Sequence, residues 1–143
     1  MLLRPTCLEV YRDQLRRIYR EVRSLIPAEC EIIAVVKADA YSHGSVEVSR
    51  VFAEEGCRWF AVATADEALE LRDGGISGKI LVLGASISEA AETYIAKDIS
   101  PACGDLSFLK HMNSVAAKLQ KPGRIHLKFD TGLGRTGFTE EDL

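Results

Sequence analysis

Residues 31–64 read EIIAVVKADAYSHGSVEVSRVFAEEGCRWFAVAT, and this stretch decides the fold class. Residues 31–36 form a short, nearly continuous β-branched run, which is typical of a strand buried on both faces. Residues 45–55 are amphipathic at helical spacing, and Gly56 stands where a C-cap glycine belongs. Residues 59–63 form a second apolar run. The order strand, helix, strand predicts parallel strands joined by right-handed crossovers.

The same alternation extends in both directions from this unit. Before it, residues 8–25 carry apolar side chains at helical spacing, and Pro27 breaks the pattern. After it, Thr64 and Glu67 predict a capping box that opens a helix. Further strands are predicted at residues 79–83, 99–102 (a weak strand) and 124–129, and further helices at 88–97 and 106–119. Two parallel architectures fit this pattern, an open doubly wound sheet and a closed (β/α)8 barrel.

The last residues predict one more helix. Thr139 is followed by three acidic residues, which is how a helix begins, and the sequence ends at Leu143, one turn later. We therefore expect residues 1–143 to be a truncated domain without an interdomain linker.

Composition argues against several classes of protein. The 143 residues carry a formal net charge of −3 with both signs interspersed, so no nucleic-acid-binding surface is predicted. The sequence shows no signal peptide and no run near the roughly 18 apolar residues of a membrane span. The cysteines stand far apart, so we expect free thiols in a reducing cytosol and no metal site. They are Cys7, Cys30, Cys57 and Cys103.

Lys37 closes the first apolar strand and is the first candidate for chemistry. An unpaired buried ammonium is costly, and the C-terminal ends of parallel strands are where α/β active sites form. A desolvated lysine can act as a nucleophile toward an aldehyde or as a base. Tyr41, His43 and Gly44 follow in a polar loop suited to a ligand. The alternative is a lysine that emerges into solvent as the strand ends.

A second candidate segment, IHLKFDTGLGRTG, covers residues 125–137. Period-two alternation places His126, Lys128 and Asp130 on one face, which in a closed barrel would point inward. Three ionisable groups there have to pair or serve a site. The glycines of the following loop allow close approach to a ligand, and Arg135 presents a planar fork suited to a carboxylate or phosphate. The alternative is a charged edge strand followed by a glycine turn.

Together these segments resemble the alanine racemase family. Residues 35–44, VVKADAYSHG, follow the family's cofactor-lysine signature Val-Val-Lys-Ala-Asn/Asp-Ala-Tyr-Gly-His-Gly, except that Ser42 replaces a glycine and restricts φ there. The resemblance also covers residues 4–6, 60–64, 67–68, 80–84 and 126–135. It implies a partial (β/α)8 TIM-type barrel, roughly the first five strand-helix units.

The resemblance implies a pyridoxal 5'-phosphate-dependent racemase. It implies that Lys37 bonds covalently to the cofactor and acts as one of two catalytic bases. Tyr41 would lie beside the cofactor near its phosphate, and Arg135 would contact the substrate carboxylate and the phenolic oxygen of the cofactor. Lys128 corresponds to a lysine that is carbamylated in some members, where the carbamate orients the arginine.

The implied reaction is the interconversion of L-alanine and D-alanine, which supplies D-alanine for peptidoglycan in the cytoplasm. The full-length protein would be a homodimer whose opposing base comes from the partner's C-terminal domain. Because that domain and the remaining strands lie outside the sequence, we expect this chain alone to be inactive and to associate through open sheet edges. Three alternatives stay open: a racemase acting on serine, lysine or a broader set, a non-catalytic pyridoxal-phosphate-binding barrel, and a decayed reading frame.

Overall fold

A computed structural model describes residues 6–142 of the chain. Its five strands form one parallel sheet: β1 (Ile33–Val35), β2 (Trp59–Val62), β3 (Lys79–Val82), β4 (Ile99–Cys103) and β5 (His126–Leu127). The helices are α1 (Arg12–Ser24), α2 (Lys37–Ser42), α3 (Ser45–Glu54), α4 (Ala65–Asp73), α5 (Ala91–Ala96) and α6 (Leu106–Leu119), with short 3-10 helices at Ser88–Ala90 and Glu140–Asp142. Residues 1–5 and Leu143, and with them Arg4 and Pro5 of the resemblance, lie outside the described residues.

The strand order selects the barrel over the open doubly wound sheet. Each strand pairs in parallel with the next one in sequence, β1-β2-β3-β4-β5, whereas a doubly wound sheet reverses its order at a switch point. The sheet also curves strongly. The evidence is that the rings of Trp59 on β2 and His126 on β5 meet edge to face, with centroids 5.4 Å apart. In a flat sheet, strands three positions apart would be separated by about 14 Å.

The core lies between the sheet and its covering helices. Alternate strand residues point outward into this layer, and Phe60, Val62, Ile80 and Val82 are fully buried there. Burial of each such side chain contributes on the order of 1.5–3 kcal/mol. The predicted capping box that starts α4 is confirmed, since Thr64 Oγ1 accepts from the Glu67 amide and the Glu67 side chain accepts from the Thr64 amide.

The prediction that the first strand is buried on both faces is wrong. Only Ile33–Val35 pairs as a strand, with Ile33 43% and Val35 42% exposed while Ala34 between them is buried. The reason is position in the sheet. β1 is an edge strand of the described residues, and its inner face has no strand opposite it.

The last two strands differ from the prediction in opposite directions: β4 is longer and more buried than predicted, and β5 is shorter and more exposed. The strand predicted to be weak, β4, extends over five residues that are all buried, because it lies inside the sheet with β3 on one side and β5 on the other. The strand predicted over residues 124–129 pairs only at His126–Leu127, with one isolated bridge from Phe129 to Phe138. β5 is the other edge of the described sheet, and its outward side chains Leu127 and Phe129 are about half exposed.

The first helix is shorter than predicted and buries less of its apolar face. It begins at Arg12 rather than residue 8. Tyr19 packs on Phe52 of α3 with ring centroids 5.5 Å apart, and Arg20 pairs with Glu55 at 2.6 Å. Of the predicted apolar positions, Leu15 is partly buried against the core, and the others remain exposed, namely Leu8, Tyr11, Ile18, Val22 and Leu25.

The chain end described by the structure is a single 3-10 turn. Thr139 donates from its amide and its hydroxyl to Asp142 Oδ2, at 2.7 and 2.8 Å. This agrees with the predicted helix start at Thr139 as far as Asp142. Within residues 6–142, every helix is too short or too polar to cross a bilayer.

Candidate functional site

Lys37 begins a left-handed turn at the C-terminal end of β1. Ala38, Asp39, Ala40 and Tyr41 all have φ between +50° and +55°, and Ser42 has φ +68°. Left-handed helical backbone costs roughly 1–2 kcal/mol per non-glycine residue, and such residues normally occur singly. The sequence predicted only a polar loop here. A run of five disfavoured residues persists only where the surroundings over-determine it, and such runs cluster at functional sites.

Hydrogen bonds hold this turn at both ends. At its start, the amide of Ala38 donates to Glu67 Oε1 on α4 at 2.8 Å. At its end, the amide of Ser45 donates to Asp39 Oδ1 at 2.7 Å. His43 Nδ1 lies 3.0 Å from the Ala40 carbonyl and 2.9 Å from that of Tyr41. His43 therefore stabilises the turn.

The turn leaves Lys37 and Tyr41 in different environments. The Lys37 side chain is half-buried and makes no hydrogen bond or ion pair with any described residue. Tyr41 is 58% exposed. The turn therefore offers an amine at the C-terminal end of the sheet, with a phenol in the same turn at the surface.

Lys128 lies beyond β5 at the same end of the sheet. It is half-buried, and its Nζ donates to Thr136 Oγ1 at 2.7 Å and lies 3.5 Å from the carbonyl oxygen of Leu83. A cavity opens beside it between the ends of β3, β4 and β5, lined in part by Gly84, Ser86 and Gly104. His126 and Lys128 are more buried than Leu127 and Phe129, which confirms the predicted inward and outward faces of this segment.

The glycine loop after Lys128 folds around Asp130. The Asp130 carboxylate accepts from the amide of Gly132 at 2.9 Å and from that of Arg135 at 2.7 Å. These and neighbouring backbone amides lower the pKa of Asp130. Gly137, with φ +132°, lets the chain return, because a Cβ there would lie 2.6 Å from the Asp130 amide. Asp130 is therefore a structural centre for this loop.

Lys128 and Arg135 are not joined in this structure. Among residues 6–142, the exposed Arg135 guanidinium makes no hydrogen bond or ion pair, and Lys128 bonds instead to Thr136. The carboxylate of Asp130 faces backbone amides. The predicted orientation of Arg135 by a modified Lys128 thus remains a prediction.

Sequence reasoning missed two residues of the site. Thr136 stands next to the predicted Arg135, yet nothing local marks it as the partner of Lys128. Glu67 was recognised as part of a helix cap, and that motif gave no sign that its second oxygen binds Ala38. Both contacts join segments that only the folded sheet brings together.

The fold and the site together define a class of protein. Sequentially ordered parallel strands form part of a barrel, and a lysine follows the first strand at the end where barrel active sites lie. The chain belongs to the family described as alanine racemase, N-terminal domain, whose model matches residues 10–143. Members of this family are pyridoxal-phosphate enzymes.

Individual relatives agree with this assignment. "Alanine racemase 2" of Caldanaerobacter subterraneus subsp. tengcongensis is 39% identical over 99% of this chain and 36% of its own length. An alanine racemase structure from Clostridium difficile 630 superposes with a TM-score of 0.86 at 36% identity, covering 88% of this chain and 33% of that one. A histidine racemase from Leuconostoc mesenteroides matches with a TM-score of 0.81 at 31% identity over 89% of this chain and 34% of that one. The chain thus spans about a third of the relatives it matches.

The residues present fit one end of pyridoxal phosphate. The half-buried amine of Lys37 has no partner among the described residues, and a primary amine of this kind would be able to bond to the cofactor's aldehyde carbon. Its position at the strand end matches the place where barrels bind ligands. Lys37 would hold the aldehyde end, and Tyr41 in the same turn would lie alongside.

Proposed function

We propose that this chain supplies the cofactor-lysine part of a pyridoxal-phosphate-dependent alanine racemase. The observation that carries the proposal is Lys37, held on a left-handed turn at the C-terminal end of β1. Family membership and the sequence around this lysine support the same assignment. When bound, the cofactor would accept the electron pair that is left on the substrate's Cα after its proton is removed.

Each site residue has a proposed task. Lys37 would hold the cofactor through its amine and, once that amine is released, would move a proton at the substrate's Cα from one face. Tyr41 lies beside the cofactor near its phosphate, and Arg135 binds the substrate carboxylate and the cofactor's phenolic oxygen. Lys128, in carbamylated form, would orient Arg135.

The whole protein's partners are proposals of the same kind. Racemisation needs a proton donor on the opposite face of the substrate, and we propose that a second subunit of a homodimer provides it. We also propose a cytoplasmic location, supported by four cysteines that are all free thiols. Alanine is the proposed substrate, with L-alanine and D-alanine interconverted for peptidoglycan synthesis.

A second candidate is racemisation of another amino acid. The match to a histidine racemase shows that closely similar barrels occur in an enzyme named for a different substrate. Specificity is a difference of transition-state binding between substrates. The test joins this chain to the C-terminal two thirds of the Clostridium difficile relative and, separately, to those of the Leuconostoc histidine racemase, and assays D-alanine, D-serine, D-lysine and D-histidine formation. D-Alanine as the main product of both fusions would support the first candidate, whereas another amino acid as the main product of both would support the second.

Cofactor trapping tests the proposed role of Lys37. The chain is incubated with pyridoxal phosphate, reduced with borohydride and mapped by peptide mass spectrometry. We expect modification at Lys37 well above that at exposed Lys110, and its loss in Lys37→Ala but not in Lys110→Ala. Equal labelling of both lysines in the folded chain would contradict the proposal.

A further inference from the structure

The carboxylate of Glu67 joins two segments that lie far apart in sequence. Its Oε1 accepts from the amide of Ala38 at 2.8 Å. Its Oε2 accepts from the amides of Ala63 at 2.6 Å and Thr64 at 3.3 Å. Ala38 directly follows Lys37, and Ala63 directly follows β2. One side chain therefore ties the residue after the cofactor lysine to the end of the neighbouring strand.

The bond to Ala38 is not needed for capping α4. The capping box is complete with Thr64 Oγ1 accepting from the Glu67 amide and Oε2 accepting from the Thr64 amide. The bond from Oε1 is additional and points away from the helix. A carboxylate that accepts three backbone N–H groups forms charge-assisted bonds, which are stronger than neutral ones. The N-terminus of α4 further favours its negative charge.

The hydrogen bond from Ala38 to Glu67 affects Lys37 because it lies at the start of the left-handed turn. Ala38 is the first residue of the turn, with φ +50°. The other hydrogen bonds of the turn are local: the amides of Ala40, His43 and Gly44 donate to carbonyls within residues 36–40, and the Ser45 amide donates to the Asp39 side chain. The Val36 amide, just before the turn, donates to the backbone carbonyl of Ala61 on β2. Among the described residues, Glu67 is thus the side chain that anchors the turn from outside residues 36–45.

We propose that Glu67 is a positioning residue for Lys37. By fixing the Ala38 amide to the end of β2, its carboxylate sets where the backbone leaves β1 and so where the Lys37 side chain starts. The consequence for cofactor binding rests on the proposed function, whereas the hold on the turn does not. Loss of this hold lets the turn relax toward ordinary backbone, and the amine then samples several directions.

Site-specific hydrogen exchange on the 143-residue chain decides whether Glu67 holds the turn. In Glu67→Gln the Oε1 and Oε2 positions cannot both accept, so we expect the Ala38 amide to exchange about tenfold faster, as loss of a charge-assisted bond implies. Thr64→Ala weakens the cap but leaves the Ala38 bond, so Ala38 should keep its protection. Glu70→Gln, an exposed carboxylate on the same helix, is the matched control.

An equal rise of Ala38 exchange in Glu67→Gln and Thr64→Ala would overturn the proposal, because capping alone would then explain it. Glu67→Asp provides a second variant if Glu67→Gln fails to fold. It keeps the charge but is one methylene shorter, so it cannot reach both segments. Ala38 exchange should rise in this variant too, and full protection in it would also overturn the proposal.

Cofactor trapping then tests the consequence for Lys37. The rate of borohydride-trapped labelling at Lys37, divided by that at Lys110, should fall about tenfold in Glu67→Gln and stay unchanged in Thr64→Ala and Glu70→Gln. A merely structural role would change both lysines alike and would overturn the proposal. If the unmodified chain shows no preference for Lys37, the proposed function fails, while the exchange result still decides the hold on the turn.

Discussion

Ser42 has φ +68°, in the left-handed region that favours glycine. It stands where the family signature has glycine, so the residue and the backbone disagree at this position. The neighbouring turn bonds keep the backbone in place, and the strain is carried by Ser42 itself.

Replacing Ser42 with glycine should therefore stabilise the chain. We expect Ser42→Gly to raise the free energy of unfolding by about 0.5–1 kcal/mol, since relief of left-handed strain exceeds the entropy cost of glycine. Urea denaturation measures the change. Ser77→Gly is the control, because Ser77 is also an exposed serine but does not have positive φ. Equal or opposite shifts in the two variants would contradict this interpretation.

Asp130 gives the chain a pH dependence of known sign. Donation from the backbone amide of Gly132, and then from those of residues 133–135, lowers its pKa in the folded state. An unfolded aspartate titrates near pH 3.9. The folded state therefore binds its proton less readily, so the stabilisation is fully present above about pH 4 and is lost as pH falls through the lower folded pKa.

Asp130→Asn should flatten this acid dependence. We expect the loss of stability between about pH 6 and about pH 3 to be smaller in Asp130→Asn than in the unmodified chain. Urea unfolding at a series of pH values provides the measurement. Asp73→Asn, at an exposed aspartate at the end of α4, should leave the slope nearly unchanged. An unaltered slope in Asp130→Asn would show that Asp130 does not contribute.

At the scale of elements, Arg72 connects α4 to two loops. Its guanidinium donates to the carbonyls of Ile76 and Gly78 at 2.6 Å, and to those of Lys97 and Asp98 at 3.0 and 2.8 Å. Burial lowers the pKa of Arg72. The planar guanidinium thus provides hydrogen-bond donors for the backbone carbonyls of the loops that lead into β3 and β4.

Arg72→Lys should accordingly be costly despite keeping the charge. One ammonium cannot reach carbonyls in both loops, and we expect a loss of about 2 kcal/mol in the free energy of unfolding. Arg58→Lys is the control, because Arg58 forms an exposed pair with Glu31 that contributes roughly 0–1 kcal/mol. Thermal or urea denaturation that finds equal effects would rule out the proposed bridging role.

At the scale of the whole molecule, the described sheet has two open edges. Ile33 and Val35 are exposed on β1, and Leu127 and Phe129 are exposed at β5. Unpaired backbone groups beside apolar side chains promote edge-to-edge association. The relatives are about three times longer than this chain, so the same surfaces can be covered in a longer protein.

The chain alone should therefore associate in a concentration-dependent way. Sedimentation velocity should show oligomers that diminish in the double variant Leu127→Glu, Phe129→Glu, because charge on an edge opposes pairing. Leu133→Glu is the control, since Leu133 is 77% exposed in the glycine loop away from the strand edge. A monomer at all concentrations, or an equal effect of the control, would contradict the expectation.

Local patterns predicted most of the elements and part of the site. β-branched runs, amphipathic spacing and the Thr64–Glu67 box located all five strands and the starts of α3, α4 and α6, because each signal reports what one segment buries or caps. The same signals misjudged β1, β4 and β5. Burial of a strand depends on its place in the sheet, which a single segment does not encode.

The sequence by itself determined the alternation of strand and helix, the lysine that follows β1 and the shared face of His126 and Lys128. Only the tertiary structure decided that the sheet curves into part of a barrel, that Lys37 starts a left-handed turn and that Glu67 holds it. The physical reason is the distance along the chain between the groups that interact. Periodicity and capping act over a few residues, whereas the bond from Ala38 to Glu67 spans 29 positions and exists only once neighbouring strands have paired.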